Sequence, residues 1–323
     1  MRIAEDLARL IDDGATRRVL PVNGKGSVQT ITDLKLLHGI DIAILQANVV
    51  DYAKRQNLFP GNENWITYIT TKLYAEEFHL LARPEIKSVA DLANEKINVD
   101  LRGSGTAITA AWLFDLFKIA VTTTNDDPEV ALEKLRTGEI AAMALVAGKP
   151  APLFHDLIGE DDLHFLAVPL EPTVTADYVP SRLTAADYPG LVPYNQPVDT
   201  VAVGAVLAVA DLQAGSERYR NVVNFVEAFF TRFQSLLEVG HHPKWREVNI
   251  TAELPGWRRF PPAQQWLQRN ARMDAASNIL DLKAIFSRFI DERQQATGGR
   301  PMTQREKDQL FGQFELWQRG QPR

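Results

Sequence analysis

The feature that most constrains the fold of this chain is an order of glycine turn, helix and buried strand that occurs twice. In the first copy, the turn at residues 23–27 precedes a helical pattern over 28–37, and Gly39 follows as a C-terminal helix stop. A strand-like segment over 40–46 comes next and ends at Gln46. This order is typical of an α/β unit, in which helices cover a mainly parallel sheet.

The second copy begins at the turn Gly103-Ser104-Gly105-Thr106, which leads into a helical pattern over 107–117. A further helix over 128–136 stops at Gly138, and a buried strand over 140–147 ends at Gly148. Ligands of open α/β sheets bind outside the carboxyl ends of the strands, which is where both turns lie. We therefore expect two similar α/β lobes whose glycine turns face a shared space.

The apolar segment 201–210 indicates how the lobes are connected. It is far shorter than the roughly 18–20 residues that span a bilayer, so we interpret it as a buried central strand. We expect the chain to leave the first lobe near Arg83 and to return near Thr200, with the strands 77–83 and 200–210 side by side. Two such crossings make a hinge.

These patterns predict a division into three parts. The first lobe comprises residues 1–86 and 199–240, and the second lobe comprises residues 87–198. Residues 241–323 are a mainly helical C-terminal extension, with helical patterns over 274–295 and 304–318. We expect this extension to pack on the first lobe, because its tryptophans need burial.

Composition excludes several classes of protein. The 323 residues carry a formal net charge of −6, which argues against a nucleic-acid partner because such proteins usually have a basic field. The absence of cysteine excludes disulfides, thiolate metal sites and a cysteine nucleophile, and it fits an exported protein. The amphipathic pattern over 1–11 is not a signal peptide, so we expect either a cytoplasmic N-terminus or a removed leader.

The turn at 103–106 has two interpretations. A dinucleotide phosphate is disfavoured, because Ile108 takes the place of the third glycine of the G-x-G-x-x-G spacing and the Walker lysine is absent. The turn could bind an anion with the free N–H groups of a helix start, or it could be a plain turn with Ser104 or Thr106 as N-cap.

Other residues beside the turns and strand ends are further candidates for ligand contact. Ser27 precedes a helix and could be a cap, and the Gln46 amide lies at a rim where it could bind a ligand or a loop. Tyr178 and Tyr194 are predicted to line the cleft, although packing under their own loop is the alternative. Lys25, Arg102 and Lys149 stand beside the turns and could complement a carboxylate, but most such cations are solvated.

Signals for an enzyme are weak. His241 and His242 have no partners at metal-ligand spacing, and the acidic run 160–162 reads as a solvated turn. The sequence contains no G-x-S-x-G nucleophile elbow and no evident nucleophile–base pair. We therefore predict no catalytic residue, no metal and no cofactor.

Several motifs together resemble a known family. They are TVAVGAVLAVADL at 200–212, KSVADL at 87–92, GSGT at 103–106, VAGKP at 146–150, and Ser27 with IAILQ at 42–46. In this order, over residues 1–240, they look like the TAXI class of solute receptors, which serve tripartite ATP-independent periplasmic (TRAP) transporters.

The resemblance implies an NMT1-like, class II periplasmic-binding-protein fold with two α/β lobes, a ligand cleft and a two-strand hinge. It implies a periplasmic receptor without catalytic activity that captures a small organic acid or amino acid and delivers it to the membrane permease subunits of a TRAP transporter. The acid group would bind at Gly103–Thr106, and Ser27 and Gln46 would contact the solute from the opposite lobe. Gly148, Tyr178 and Tyr194 complete the expected ligand-binding set.

Three differences from the family pattern concern the cleft. The first strand and small-residue loop of the family are missing, Asn48 stands where an acid is common, and Lys25 stands where a basic residue is unusual. A cytoplasmic ligand-sensing or regulatory domain is the alternative function, because one fold supports several functions. A deaminase-like enzyme of related fold ranks last, because it would need a cofactor-attaching cysteine or an acid–base pair.

Overall fold

The computed structural model describes residues 2–24, 26–58, 66–70, 73–155, 157, 163–254, 256–273, 283, 286–287, 290 and 302–319. The chain forms two compact units, Met1–Ala263 and Gln264–Arg323. Lys25, the acidic run 160–162 and most of the predicted helix 274–295 lie outside the described residues.

The elements of the first unit follow the predicted alternation of helices and strands. The helices are α1 (Arg2–Ile11), α2 (Ser27–Leu36), α3 (Ala47–Arg55), α4 (Gly105–Leu116), α5 (Pro128–Arg136), α6 (Pro152–His155), α7 (Pro172–Thr175) and α8 (Glu217–Arg232). The strands are β1 (Ile42–Gln46), β2 (Ile66–Thr70), β3 (Ala75–Ala82), β4 (Lys96–Asn98), β5 (Thr122–Thr124), β6 (Ala142–Ala147), β7 (His164–Phe165), β8 (Val179–Leu183) and β9 (Val198–Ala210). Short 3-10 helices cover Val89–Leu92, Phe233–Leu237 and Pro243–Glu247.

The long apolar strand β9 connects the two halves of the sheet. Its first residues pair with β8, its middle pairs with the start of β3, and its last residues pair with β1 and β2. Glu77 of β3 lies opposite Ala202 of β9, so the predicted adjacency of these two crossing strands is confirmed. From Glu77 onwards β3 pairs with β6, which continues through β4 to β5.

The prediction of a mainly parallel sheet is wrong for the described residues. Only the pairs β4–β5 and β4–β6 are parallel there, and β9 and β3 run antiparallel to every strand they contact. The reason is topological: β1 and β2 run in the same direction, but the returning strand β9 lies between them. The direction of a crossing strand depends on where the chain re-enters the sheet, which local periodicity does not encode.

Separate apolar clusters stabilise the two ends of the sheet. One cluster joins α2 and α3 to β1, β2 and the end of β9, and it includes Ile31, Val49 and Val206. A second joins α4 to β3, β4 and β6, with Leu80, Ile97 and Leu113. A third covers the other face of β6 with α5, α6 and Tyr188. Burial of this kind contributes roughly 25 cal/mol per Å² of apolar surface.

His79 is a titratable residue inside the third cluster. It is fully buried, its Nε2 lies 2.6 Å from Tyr188 Oη, and its Nδ1 lies 3.2 Å from the Leu145 carbonyl oxygen. Burial lowers the pKa of His79 to about 4, because the charged imidazolium loses its hydration.

The first compact unit extends past residue 240. Trp245 is fully buried, and its Nε1–H donates to Asp6 Oδ2 of α1 at 2.9 Å. The His242 N–H donates to the same oxygen at 2.8 Å. Burial would raise the pKa of Asp6, but these hydrogen bonds and the nearby His241 outweigh it and lower the pKa. His242 and Trp245 are thereby bonded to the first helix of the chain.

The second compact unit is helical in its described part. The helix α9 covers residues 261–273, and the helix α10 covers Gln304–Arg319. Phe286, Phe311 and Phe314 form an aromatic cluster, and Lys283 pairs with Asp308 at 2.9 Å.

Candidate functional site

The two glycine turns predicted from the sequence contact each other directly. The Val28 N–H donates to the Gly103 carbonyl oxygen at 3.1 Å, and Ser27 is the first residue of α2 at this contact. Gly26 has φ +122°, and a Cβ at this position would lie 3.3 Å from the Gly103 oxygen. Glycine is therefore required by both the backbone conformation and the close approach of the turns.

The start of α4 combines a capped serine with free backbone donors. The Ser104 Oγ accepts the Ala107 N–H at 3.0 Å, so Ser104 is the N-cap of α4. This agrees with one of the two interpretations of the turn at 103–106. Thr106 Oγ1 accepts the Val146 N–H at 3.0 Å and thereby joins α4 to β6. The N–H groups of Gly105 and Thr106 have no acceptor among the described residues, as is usual in the first turn of a helix.

Gln46 lies between a carboxylate and this helix start. Its Nε2 donates to Glu76 Oε2 at 2.6 Å. Its Oε1 would be only 1.8 Å from a Cβ on Gly105, so the amide occupies the space that any other residue at 105 would need. Gln46 thus brings the end of β1 into contact with the first residue of α4.

Glu76 is a half-buried carboxylate with neutral donors on both oxygens. Besides Gln46, the Tyr74 hydroxyl donates to Glu76 Oε1 at 3.3 Å. Burial raises the pKa of Glu76, and the neighbouring Glu77 raises it further, whereas the hydrogen bonds from Gln46 and Tyr74 and the more distant charge of Lys244 oppose the shift. Burial likewise raises the pKa of the Tyr74 phenol. Glu76 therefore sits where its negative charge is poorly solvated.

Glu77, on the opposite face of β3, has a charged partner. Its Oε1 lies 3.2 Å from Lys244 Nζ, and its Oε2 accepts the Lys149 N–H at 2.9 Å. Both members of the ion pair are buried, with side chains 2% and 5% exposed. Burial raises the pKa of Glu77, and Lys244 opposes this. Lys244 also pairs with Glu247 at 3.0 Å. Lys244, which follows the predicted first lobe in the sequence, thus neutralises the Glu77 carboxylate where β3 and β9 pair.

Gly148 lies beside these groups, whereas Tyr178 belongs to the apolar cluster of α4, β3, β4 and β6, next to Asn48 and Thr109. A Cβ on Gly148 would be 3.6 Å from Lys244 Cε and 3.9 Å from Tyr74 Cδ2. Tyr178 is 5% exposed, and burial raises its pKa against the opposing effect of Asn48 and Thr109. Asn48 Nδ2 in turn donates to Thr109 Oγ1 at 2.8 Å, which links α3 to α4.

Three buried oxygens at or just past the carboxyl ends of β1 and β2 lack a hydrogen-bond partner in the described part of the chain. They are Gln46 Oε1, Asn48 Oδ1 and Thr70 Oγ1. Buried polar atoms are nearly always hydrogen-bonded in native proteins, so these three acceptors are candidates for ligand contact, although buried atoms without a hydrogen-bond partner also occur elsewhere in the described residues, at Asp6 and Arg259.

Tyr194 does not join this group, which corrects the expectation that it lines the cleft. Its side chain is 91% exposed, because it lies in the surface turn in which the Gln196 N–H donates to the Pro193 oxygen. The candidate cations also have other partners: Arg102 donates to Asn125, and Lys149 pairs with Asp187 at 3.2 Å.

Sequence reasoning missed Tyr74, Glu76, Glu77 and Lys244. A signal for two of them was present, because Glu76 and Glu77 are adjacent acids at the start of an otherwise apolar strand. Adjacent strand residues point to opposite faces, so one carboxylate had to face each side of the sheet. No local signal distinguishes Lys244 from a solvated lysine.

The described residues contain no group of three or more histidine, aspartate or glutamate side chains that could hold a metal ion. Within the same residues, no helix combines the length and the apolar character that crossing a membrane requires. A cavity of about 550 Å³ lies elsewhere in the first unit, where residues 16–24 face β1. Its walls include Leu7, Ile11, Ile42 and Phe225. Of the two turns and the cleft residues described above, only Asn23 and Gly24 of the first turn line it.

The mixed α/β sheet, the crossing strands β3 and β9 and the two meeting turns define an α/β architecture whose candidate site lies where the turns meet. The predicted α/β class, including a helical C-terminal region, is confirmed. The chain belongs to the NMT1-like family, whose model matches residues 2–250.

Solved structures with a similar fold include ligand-binding proteins of several kinds. The GluR0 ligand-binding core from Nostoc punctiforme in complex with L-glutamate is 15% identical, with a TM-score of 0.41 over 73% of this chain and 88% of that one. The alkanesulfonate-binding protein SsuA from Xanthomonas axonopodis pv. citri, bound to MOPS, is 16% identical, with a TM-score of 0.43 over 85% and 90%. The regulatory domain of CcmR from Synechocystis PCC6803, in complex with 2-PG, is 13% identical, with a TM-score of 0.35 over 62% and 79%.

Proposed function

We propose that this chain is an extracytoplasmic solute-binding receptor of the TAXI type. It would capture a small organic acid or amino acid between its lobes and present it to the permease of a TRAP transporter. The observation that carries the proposal is the meeting of two glycine turns from separate segments, where Val28 donates to Gly103 and Gln46 contacts Gly105. Membership of the NMT1-like family supports a ligand-binding role.

In the proposed site, residues of both lobes contact the solute. The N–H groups of Gly105 and Thr106 bind the acid group of the solute, because the start of α4 adds a favourable partial charge to these donors. Gln46 and Ser27 contact the solute from the first lobe, so closure of the lobes depends on it. Ser104 shapes the turn as its cap, Gly103 allows the turns to approach, and Gly148 and Tyr178 complete the wall. Tyr194 is left out of the site.

The proposed boundaries are those of the sequence prediction, with the first lobe at 1–86 and 199–240 and the second at 87–198. The hinge would then be the crossing of β3 and β9, where Ala75–Glu77 pairs with Ala202–Gly204. Rotation at this crossing would separate the two turns and open the cleft between them.

A thermal-shift screen of small carboxylates and amino acids tests the binding function. A ligand that binds only the folded state at 100 times its Kd stabilises that state by about 2.7 kcal/mol, which is easily detected. Gly105→Val should abolish the shift, because its side chain would fill the position of the Gln46 amide. Gly312→Val is the matched control, because this helical glycine lies outside the proposed site and hinge and a Cβ there meets nothing within 4 Å. A shift that survives in Gly105→Val would show that the turns are not the site.

The transport role has its own test. Membranes that contain a TRAP permease encoded beside this chain should retain it in a solute-dependent manner. If the protein binds its solute but is retained by no such permease, the regulatory-domain alternative replaces the receptor function.

A further inference from the structure

We propose that the cleft selects solutes that carry an ammonium group beside their acid group, as α-amino acids do, and that Glu76 binds this ammonium. The inference rests on the proposed binding function and narrows its ligand class. It is carried by the contacts of Gln46, whose amide has the polarity of such a head group.

The two ends of the Gln46 amide face groups of opposite character. The donor end, Nε2, is 2.6 Å from Glu76 Oε2. The acceptor end, Oε1, lies against Gly105 at the positive end of α4, and it has no hydrogen-bond donor in the described part of the chain. The ammonium of an α-amino acid is likewise a donor that suits a carboxylate, and its carboxylate is an acceptor that suits a helix start. The side chain therefore marks where these two partners can be bridged.

Glu76 is suited to a cation because its charge is not balanced by an ion pair. Its hydrogen bonds come from the neutral groups of Gln46 and Tyr74, and no lysine, arginine or histidine nitrogen of the described residues lies within 4.0 Å of it. The adjacent Glu77 has Lys244 at 3.2 Å. Of two neighbouring acids, Glu77 forms the ion pair with Lys244, whereas Glu76 feels the same lysine only at longer range, as the smallest of the effects on its pKa.

This asymmetry predicts discrimination between solutes of similar shape. A 2-hydroxy acid would offer Glu76 a neutral hydroxyl, and a second carboxylate in the same position would be repelled. An ammonium would form a charge-assisted hydrogen bond, which is roughly twice as strong as a neutral one, and would compensate a poorly solvated charge.

Calorimetric titration of the full chain with matched pairs tests the inference. The pairs are L-alanine with L-lactate, L-glutamate with L-2-hydroxyglutarate, L-leucine with L-2-hydroxyisocaproate, and L-phenylalanine with L-phenyllactate. We expect at least one amino acid to bind about 10-fold or more tightly than its hydroxy acid. Glu76→Gln should reduce this ratio to about 3 or less, whereas the exposed Glu129→Gln should retain it.

The outcomes separate this inference from the function on which it rests. Hydroxy acids that bind as tightly as their amino acids overturn the ammonium selectivity and leave the receptor function standing. Binding of no compound in either series overturns the ammonium selectivity, and the thermal-shift screen of other carboxylates then decides the receptor function. An amino-acid preference that persists in Glu76→Gln overturns the role of Glu76, and the comparison within the wild-type protein decides the ligand class even if that variant does not fold.

Discussion

Gly105→Ala is expected to weaken the contact between the two proposed lobes through Gln46. A Cβ at residue 105 would be 1.8 Å from Gln46 Oε1, whereas an ordinary contact begins at 3.4 Å, so the amide oxygen must move by roughly 1.6 Å. Such a shift is easy for the free end of a side chain, but this amide is held by its hydrogen bond to Glu76 at 2.6 Å. The expected cost is therefore the loss of that bond.

The magnitude follows from two opposing effects. A hydrogen bond to a charged group contributes about 1.5–3 kcal/mol, and alanine in place of glycine returns up to about 1 kcal/mol in a helix. We expect Gly105→Ala to lower the free energy of unfolding by about 0.5–2 kcal/mol. In a Gln46→Ala background the clash is absent, so the same change should be neutral or stabilising.

Urea unfolding of the four proteins of this double-mutant cycle, followed by circular dichroism at pH 7.5, measures the coupling. We expect a coupling energy of about 1.5–3 kcal/mol between Gly105 and Gln46. Gly204→Ala serves as the control, because its Cβ meets nothing within 4 Å. A coupling below about 0.5 kcal/mol would refute the reasoning, since the amide would then be free to move.

Three further predictions concern residues outside the turns. Lys244→Met should lower the free energy of unfolding by about 3–5 kcal/mol, because it leaves Glu77 buried without its counter-charge. Adding Glu77→Gln should recover most of this loss. A urea midpoint that is unchanged in the single variant would contradict this prediction. The pKa of His79 lies at about 4, below its ordinary 6.5, so its contribution to stability is present above pH 6.5 and is lost as the pH falls toward 4. The free energy of unfolding between pH 4 and 7 should therefore depend less on pH in His79→Gln than in the wild type. Equal slopes of this free energy against pH in the two proteins would be evidence against the prediction. Trp245→Phe should cost about 1.5–3 kcal/mol in urea unfolding, because it removes the donor to the buried Asp6, whereas Trp257→Phe, whose ring contacts Lys54, should cost less than half of that.

Much of the local structure was predictable because its causes lie within a few residues. The helix Pro128–Arg136 has the predicted bounds, because Asp127 caps it, proline begins it and Gly138 follows at φ +77°. The strand β9 was predictable from a run of small and β-branched residues too short for a membrane. The two turns were predictable from their glycines, and their meeting followed from the position of strand ends in α/β folds.

Tertiary structure alone decided the directions of the strands and the chemistry of the cleft. Glu76 and Glu77 are equivalent in the sequence, but only Glu77 has a lysine, which lies 167 residues further along the chain. The same holds for Tyr194, which the path of its loop leaves in solvent. Which charge is neutralised and which ring is buried depends on long-range contacts, and these are selected by the packing of the whole chain rather than by any local pattern.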